Sequence, residues 1–389
     1  MNPTAQKIFD YFQENRDDFV SYLKKMVLAE SPSLDPITQE PVMAQIAEDL
    51  RRLNFEVKHV PGHKTAGHLF ARPRTGFTHG HGQLLLGHSD TVWPVGTLAK
   101  MPADVSGTVI KGPGVFDMKC GLAMMVFALR ALHDMELQPS VTPLVFINSD
   151  EEIGSLESRA HIEEIARTVD RAFVLEPALG TAGMLKTARK GVGEFAMKVK
   201  GKPAHAGLDP ERGVSAILEL SYLVQKLFAL NNPARGITVN VGTIDGGTRT
   251  NVIAPESRAS IDVRVLHAED AKEIEQAILG LQATIPGITL EMTGGIDRGP
   301  MERTPRNQAL WHAAKRLGKE IGLELEQAVS GGASDGNFTS YYTATLDGLG
   351  AVGDGAHAYH EFVDIDKTLP RGALLALLLL EPQVQANDQ

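Results

Sequence analysis

The sequence is short of cysteine and of the larger aromatics: its 389 residues include one cysteine, two tryptophans and six tyrosines. The single thiol, Cys120, closes no internal disulfide and suits a reducing compartment. Long apolar runs are absent. The longest, Gly121–Leu129, is well below the ~18–20 residues of a membrane span and reads as an amphipathic helix. No block of like charge occurs. The 38 basic and 48 acidic residues leave a net charge of −10, so the basic footprint of a nucleic-acid-binding protein is missing. There is no GxxxxGKS or GxxxxGKT phosphate loop to support nucleotide use. The N-terminal stretch Met1–Phe19 is polar and acidic, unlike a secretory signal, and a cytoplasmic location is expected. What remains is ordinary for a folded chain. At 43% apolar and 22% charged it is neither disordered nor collagen-like, and its length suits two or three domains. Histidine stands out, with 13 residues.

Apolar spacing predicts helices within residues 5–29 and over Pro41–Leu53, Cys120–Met135, Asn307–Ile321 and Leu369–Leu380. Apolar segments Phe55–Val60, His68–Arg72, Gln83–Gly87, Pro143–Asn148, Ala172–Leu175 and Gly348–Val352 read as strands. Strands alternating with helices imply an α/β fold: a three-layer α/β/α domain around a mixed, mainly parallel sheet. Between about 191 and 297 the pattern changes. Val192–Lys200, Ile237–Ile244, Ser257–Val265 and Ile288–Gly294 read as strands, with helices over Glu211–Leu230 and Ala268–Ala283. That β-α-β-β-α-β order is the ferredoxin-like plan. The expected organisation is therefore one domain, 1–190 with 298–389, interrupted by a smaller α+β domain over 191–297.

In open α/β sheets, ligands bind beyond the carboxyl ends of the strands. After Gln83–Gly87 come His88, Ser89 and Asp90. After Pro143–Asn148 come Asp150, Glu151 and Glu152. Glu176 follows Ala172–Leu175, and Asp354 and His357 follow Gly348–Val352. Asp117 sits in a Gly-rich turn ahead of a helix. Carboxylates gathered this closely repel and need a cation. Mixed with imidazoles, they suit zinc or a neighbouring transition metal better than calcium or magnesium. His88 and Asp90, two apart in an extended segment, leave the same face, so one can bind metal while the other fixes the imidazole tautomer. Glu151 and Glu152 point in different directions, which lets one ligate and the other act as a general base. Taken singly, each of these short patterns is more often a plain polar loop.

Together the motifs GHSDTV, GPGVFDMKCG, SDEEIGS, VLEP, GKPAHAG and GAHAYHEF resemble, in order and spacing, those of the M20 family of co-catalytic zinc peptidases, and most nearly its glutamate carboxypeptidase branch. The resemblance spans nearly the whole chain. It implies two Zn2+ per subunit, with Co2+ or Mn2+ as substitutes. His88, Asp117 and Glu176 would hold one, and Asp117, Glu152 and His357 the other, Asp117 bridging. Asp90 would orient His88, and Glu151 would be the general base. The peptide after Asp117 would be cis. Of the two histidines near the C-terminal motif, Glu361-Phe362 selects His357 over His360. His205 would reach the partner subunit's site and stabilise the oxyanion, in a homodimer formed through 191–297. Asn251 and Arg264 match substrate-contacting positions. Arg264 lies on the polar side of its strand, where its fork suits a free carboxylate. Arg298 and the glycine-rich segment at Gly332 are further substrate candidates.

The implied reaction is release of a C-terminal amino acid, glutamate or similar, from a small peptide or N-acyl amino acid. An N-acyl amino acid deacylase or an aminopeptidase of the same superfamily is the alternative. A non-catalytic metal-binding scaffold is disfavoured, because Glu151 and every ligand position are present. Thr78–Gly82 and the His59–His68 region carry histidine without accompanying carboxylates and read as bystanders, as does Cys120.

Overall fold

Apolar runs without alternation, such as Leu84-Leu85-Leu86 and Leu144-Val145-Phe146-Ile147, belong to strands covered on both faces. The computed structural model describes residues 2–75 and 81–382. In it, every residue of strands Gly82–His88, Thr142–Asn148 and Arg171–Val174 is buried. Thr78, His79 and Gly80 lie outside the described residues. The chain divides into two units: Met1–Thr187, Arg303–Val329 and Ser334–Gln389 form the first, and Ala188–Glu302 with Ser330–Ala333 the second.

The first unit is built on a six-stranded sheet in the order Phe55–Val60, His68–Pro73, Thr142–Asn148, Gly82–His88, Arg171–Val174, Ala344–Leu346. The last four strands run parallel, and the first two are antiparallel additions at one edge. Leu85, Val145, Ile147 and Phe173 enter a core shared with helices Pro3–Glu14, Arg16–Leu28, Pro36–Arg52, Cys120–Asp134, Pro305–Glu320 and Ile365–Leu380. Leu84, Leu86, Leu144, Phe146 and Val174 enter a second core on the other face, closed by Ile162 of helix Arg159–Ala166 and by Phe338. This is the three-layer α/β/α arrangement. Strand Gly82–His88 is flanked on both sides by strands that come later in the chain, so the carboxyl ends of these three strands frame a crevice. No described helix is long and apolar enough to cross a membrane.

Three local expectations in the first unit are corrected. Helix Cys120–Asp134 is buried on almost all sides, from Cys120 through Leu129, rather than amphipathic. The helix expected from Pro41 starts at Pro36, because the Asp35 side chain accepts from the Thr38 N–H and Pro36 supplies a ready-made first turn; Pro41 lies inside it. Gly348–Val352 is not a strand. The parallel strand is Ala344–Leu346, and Gly348, at φ +73°, turns the chain out of the ladder. The Arg371 guanidinium then holds the carbonyls of Gly348 and Gly350.

The second unit has four antiparallel strands in the order Thr238–Gly246, Glu256–Val265, Gly191–Lys200, Thr289–Arg298, with helices Ala216–Phe228 and Ala268–Leu279. Its strands alternate. Phe195, Met197, Val199, Ile261 and Val263 pack with Leu220, Leu223, Leu227, Ile274 and Ile278, while the intervening residues are more exposed. Ser215 caps the first helix on the Leu218 N–H, so it begins at Ala216 rather than at Glu211, and Glu211 falls in a short turn.

One buried histidine gives the first unit an acid-sensitive spot. His68 is 3% exposed, and neither ring nitrogen has a hydrogen-bond partner. Its ring lies 5.1 Å from Phe146 and 4.7 Å from His161. Burial, then the neighbouring His161 and His59, pull its pKa down to about 4, with Glu157 acting weakly in the other direction. The unfolded chain takes a proton near pH 6.5, which the fold refuses. Stability is therefore complete above about pH 6.5 and is lost as the pH falls towards 4, by about 3 kcal/mol in full. We expect His68→Phe to flatten this acid limb in thermal melts between pH 7 and pH 4.5; parallel wild-type and variant curves would refute the assignment.

Candidate metal centre

The crevice is lined by residues that directly follow the buried strands. His88 ends strand Gly82–His88, Glu151 and Glu152 follow Thr142–Asn148 in a short helical turn, and Glu176 lies two residues beyond Val174. Asp117 comes from the turn Val115–Lys119, where the Asp117–Met118 peptide is cis as expected. His357 comes from the loop before Phe362–Asp364 and sits at φ +60°, a left-handed conformation uncommon for a residue other than glycine.

Asp117 is the centre of the arrangement. Its Oδ1 lies 3.3 Å from His88 Nε2, and its Oδ2 lies 3.5 Å from His357 Nε2. His88 Nε2 is also 3.4 Å from Glu176 Oε1, and His357 Nε2 is 3.1 Å from Glu152 Oε2. Asp117 thus links two imidazoles, each of which faces a further carboxylate, and ligand atoms of His88, Asp117 and Glu152 lie within 4.8 Å of one another. A Glu151 oxygen also lies within 4.8 Å of the facing atoms of His88 and Glu176. His360 is exposed and belongs to neither group.

The electrostatics are those of an anionic cage. Burial opposes ionisation of Asp117, but the facing imidazoles of His357 and His88 hold its carboxyl well below the usual range. Burial, and the negative Asp117, push Glu152 up to about 7 against its hydrogen bond to His357. Hydrogen bonds to Asp117 and Glu152 raise His357 to about 10. His88 is raised too: burial opposes its charge, yet Asp117, Asp90 and Glu176 outweigh it. Without a cation, then, protons bind the cage together.

A metal fits these residues better than protons do. His88 Nε2, Asp117 Oδ1 and Glu152 Oε1 are buried atoms with no hydrogen-bond partner, a costly condition unless something else satisfies them. Two ligands held about 2.0–2.2 Å from a common tetrahedral ion stand about 3.3–3.6 Å apart, which matches three of the four imidazole–carboxylate separations here, while the fourth, His357 to Glu152 at 3.1 Å, is of hydrogen-bond length. The tautomer is prepared as well. His88 Nδ1 lies 3.0 Å from the Asp90 carbonyl oxygen and 3.3 Å from its carboxylate, so Nδ1–H donates there and Nε2 is left bare. Asp90, fully buried, also accepts from Ser33 Oγ at 2.7 Å and from the Glu151 and Glu152 N–H groups. One carboxylate therefore positions the ligand histidine and the DEE turn together.

The chain is similar to known proteins along most of its length. Residues 187–285 match the model of the M20 peptidase dimerisation domain. Carboxypeptidase G2 of Pseudomonas sp. (strain RS-16) is 28% identical over 383 residues, covering 96% of this chain and 91% of that protein. The acetylornithine deacetylase of Erwinia tasmaniensis is 29% identical over 350 residues, covering 84% of this chain and 86% of that one. In fold, the chain is similar to the aminopeptidase PepT of Bacillus cereus, with a TM-score of 0.78 at 21% identity over 94% of this chain and 98% of that one. The chain belongs to the M20 peptidase family. Within that family it stands on the carboxypeptidase G2-like branch, and it is a metallopeptidase-type amide hydrolase.

The remaining candidates lie in the second unit of this M20 peptidase. His205 is exposed, and its Nδ1 accepts from the N–H groups of Gly207 and Leu208, which leaves the hydrogen on an outward Nε2. Asn251 is its neighbour, the Asn251 carbonyl accepting from the Ala206 N–H. Arg264 is not open: its guanidinium grips Asp262, two residues back on the same face of the strand. Arg298 is 8% exposed at the end of its strand. The Gly332 carbonyl accepts from Arg189.

The motif reading missed the residue that ties the ligand loops together. Glu361 served only as the marker that selects His357. It is 1% exposed, and its carboxylate accepts four hydrogen bonds: from Trp93 Nε1 at 2.8 Å, Gly114 N at 2.9 Å, Phe116 N at 2.8 Å and Asp117 N at 3.0 Å. Glutamine in its place offers one acceptor and turns two donors against others. We expect Glu361→Gln to cost about 1–3 kcal/mol in the melting of metal-free protein, the usual cost of stranding buried donors, and to weaken divalent-cation uptake at least tenfold by calorimetric titration. Wild-type uptake in a variant with lowered stability would limit Glu361 to a fold-holding role.

Proposed function

We propose that this M20 peptidase holds two divalent cations, zinc in the cell, and hydrolyses the amide bond linking a C-terminal amino acid, glutamate or a similar one, to an acyl or peptidyl group. The observation that carries the reading is Asp117, whose two oxygens face two different imidazoles, each imidazole facing a further carboxylate. His88, Asp117 and Glu176 would hold one ion, and Asp117, Glu152 and His357 the other. When bound, the metals polarise the amide carbonyl and lower the pKa of the attacking water.

The chain's own residues do the rest. Glu151 takes a proton from the water at its carboxylate and passes it to the leaving nitrogen. Its backbone is pinned by Asp90, and its carboxylate is close to the His88 and Glu176 donors. His205, its Nε2–H directed outward, stabilises the oxyanion in the partner subunit's site. Asn251, Arg264, Arg298 and Gly332 are the groups we assign to the substrate's free carboxylate. Arg264 would exchange the Asp262 carboxylate for that of the substrate, a like-for-like swap for a guanidinium fork.

A homodimer through the second unit follows from the same reading. Helix Ala216–Phe228 exposes Ile217, Leu218, Tyr222 and Phe228, each 40–48% accessible, beside the edge strand Thr238–Gly246. An apolar stripe of this kind marks an interface. We assign the enzyme to the cytoplasm. The relatives include a carboxypeptidase and a deacetylase, so release of an N-acyl group is the reading closest to this one.

A panel of peptidyl- and acyl-amino acids, assayed with and without chelator, tests the substrate class. We expect chelator-sensitive release of C-terminal glutamate to exceed that of neutral residues, and equal rates across the panel would overturn the assignment. Glu151→Gln is expected to retain both metals and lose 10²–10⁴-fold in kcat; full activity with metal bound would remove it from the base role. His205→Ala should be inactive, and mixing it with Glu151→Gln should restore activity in heterodimers that own one intact composite site. Failure to complement, with exchange verified, would argue against a site shared between subunits.

A further inference from the structure

We infer that Lys186 makes the two cation positions unequal: it restricts Glu176 to one coordinating oxygen and weakens the position shared by His88, Asp117 and Glu176. The inference rests on the dinuclear reading above and adds a residue that no motif marks. Lys186 lies in strand Leu185–Arg189, all of whose residues are buried, and is itself 6% exposed. Its backbone exchanges two hydrogen bonds with Asp347, of 2.9 and 3.2 Å. The side chain then runs across Gly348: a Cβ on that glycine would stand 3.1 Å from Lys186 Cγ and 3.4 Å from Cδ. The missing side chain at Gly348 thus opens the path along which the lysine reaches inward. Lys186 Nζ ends 3.8 Å from Glu176 Oε2, while the other oxygen, Oε1, faces His88 Nε2 at 3.4 Å.

The two oxygens of Glu176 therefore have different partners, one a cation built into the chain and the other the candidate metal position. Nothing equivalent stands at the second position. Among the described residues, Asp117 and Glu152 form ion pairs only with imidazoles. A lysine ammonium is a compact charge, and beside a buried carboxylate it offsets part of the cost of taking that carboxylate out of water. It offsets one carboxylate beside one of the two ions, and it keeps Glu176 from closing both oxygens onto that ion. A position left with fewer protein ligands has room for water or substrate. Lys186 is on this account a positioning residue.

Cobalt(II) titration of metal-free protein tests this, read by calorimetry and by visible absorption, with Lys186→Met and Lys186→Arg alongside. For the wild type we expect two separable binding steps. Lys186→Met should tighten one step at least tenfold, change the other less than threefold, and lower the absorption per cobalt as Glu176 becomes bidentate and the coordination number rises. Lys186→Arg, which keeps the charge, should retain the wild-type steps. Unchanged steps in Lys186→Met, or both steps weakened together with the melting temperature, would overturn the inference while leaving the dinuclear reading in place. Uptake of fewer than two cobalt ions by the wild type would overturn the dinuclear reading, and this inference with it.

Discussion

Like charge packed at one sheet edge is the constraint around which the first unit is organised. Asp90, Asp117, Glu151, Glu152 and Glu176 converge where three parallel strands end, and repulsion at such spacing must be neutralised or held by force. Both means are visible. Imidazoles interleave with the carboxylates, so that both oxygens of Asp117 and one each of Glu152 and Glu176 face an imidazole. The scaffold beneath them is stiff. Strands Gly82–His88 and Thr142–Asn148 are buried along their whole length between two apolar cores, and cannot relax outward without exposing both. Apolar burial thus supplies the rigidity that the polar edge consumes.

The sequence makes the parallel strands and their terminal residues legible for a physical reason. A strand buried on both faces must be apolar throughout, so a charged residue immediately after it stands at the rim. His88, Glu152 and Glu176 were found in that way, without any side-chain geometry. The alternating strands of the second unit were legible for the complementary reason, having one covered face and one open. Periodicity does not report what local chemistry overrides. The Asp35 cap starts a helix ahead of Pro41, and the positive φ of Gly348 ends a ladder that an apolar run promised to continue.

What could not be read was long-range pairing through the backbone. Glu361 is separated by 247 residues from Gly114, whose N–H it accepts, and nothing in the composition of either segment announces the bond. Lys186 is equally silent, one of two basic residues in the short strand Leu185–Arg189. Arg264 shows the opposite failure. Its place on the polar side of its strand is legible, but that place does not show that the guanidinium is already engaged by a carboxylate. In a β-strand residues i and i+2 share a face, which puts Asp262 within reach of the Arg264 guanidinium.

Glutamates and aspartates at this edge carry one functional group and do different work because their neighbours differ. Glu361 meets three backbone N–H groups and an indole, which partly offset the burial that raises its pKa, and it acts as an anchor. Asp90 meets a hydroxyl and two N–H groups and sets a tautomer. Asp117 meets two imidazoles and no other hydrogen donor for its Oδ1, the condition under which a carboxylate is most disposed to take a cation. Glu152, held near neutrality by burial and by Asp117, has the most to gain from one. The division of labour therefore follows from what each oxygen is given to bind, and the oxygens given only imidazole are those left for metal.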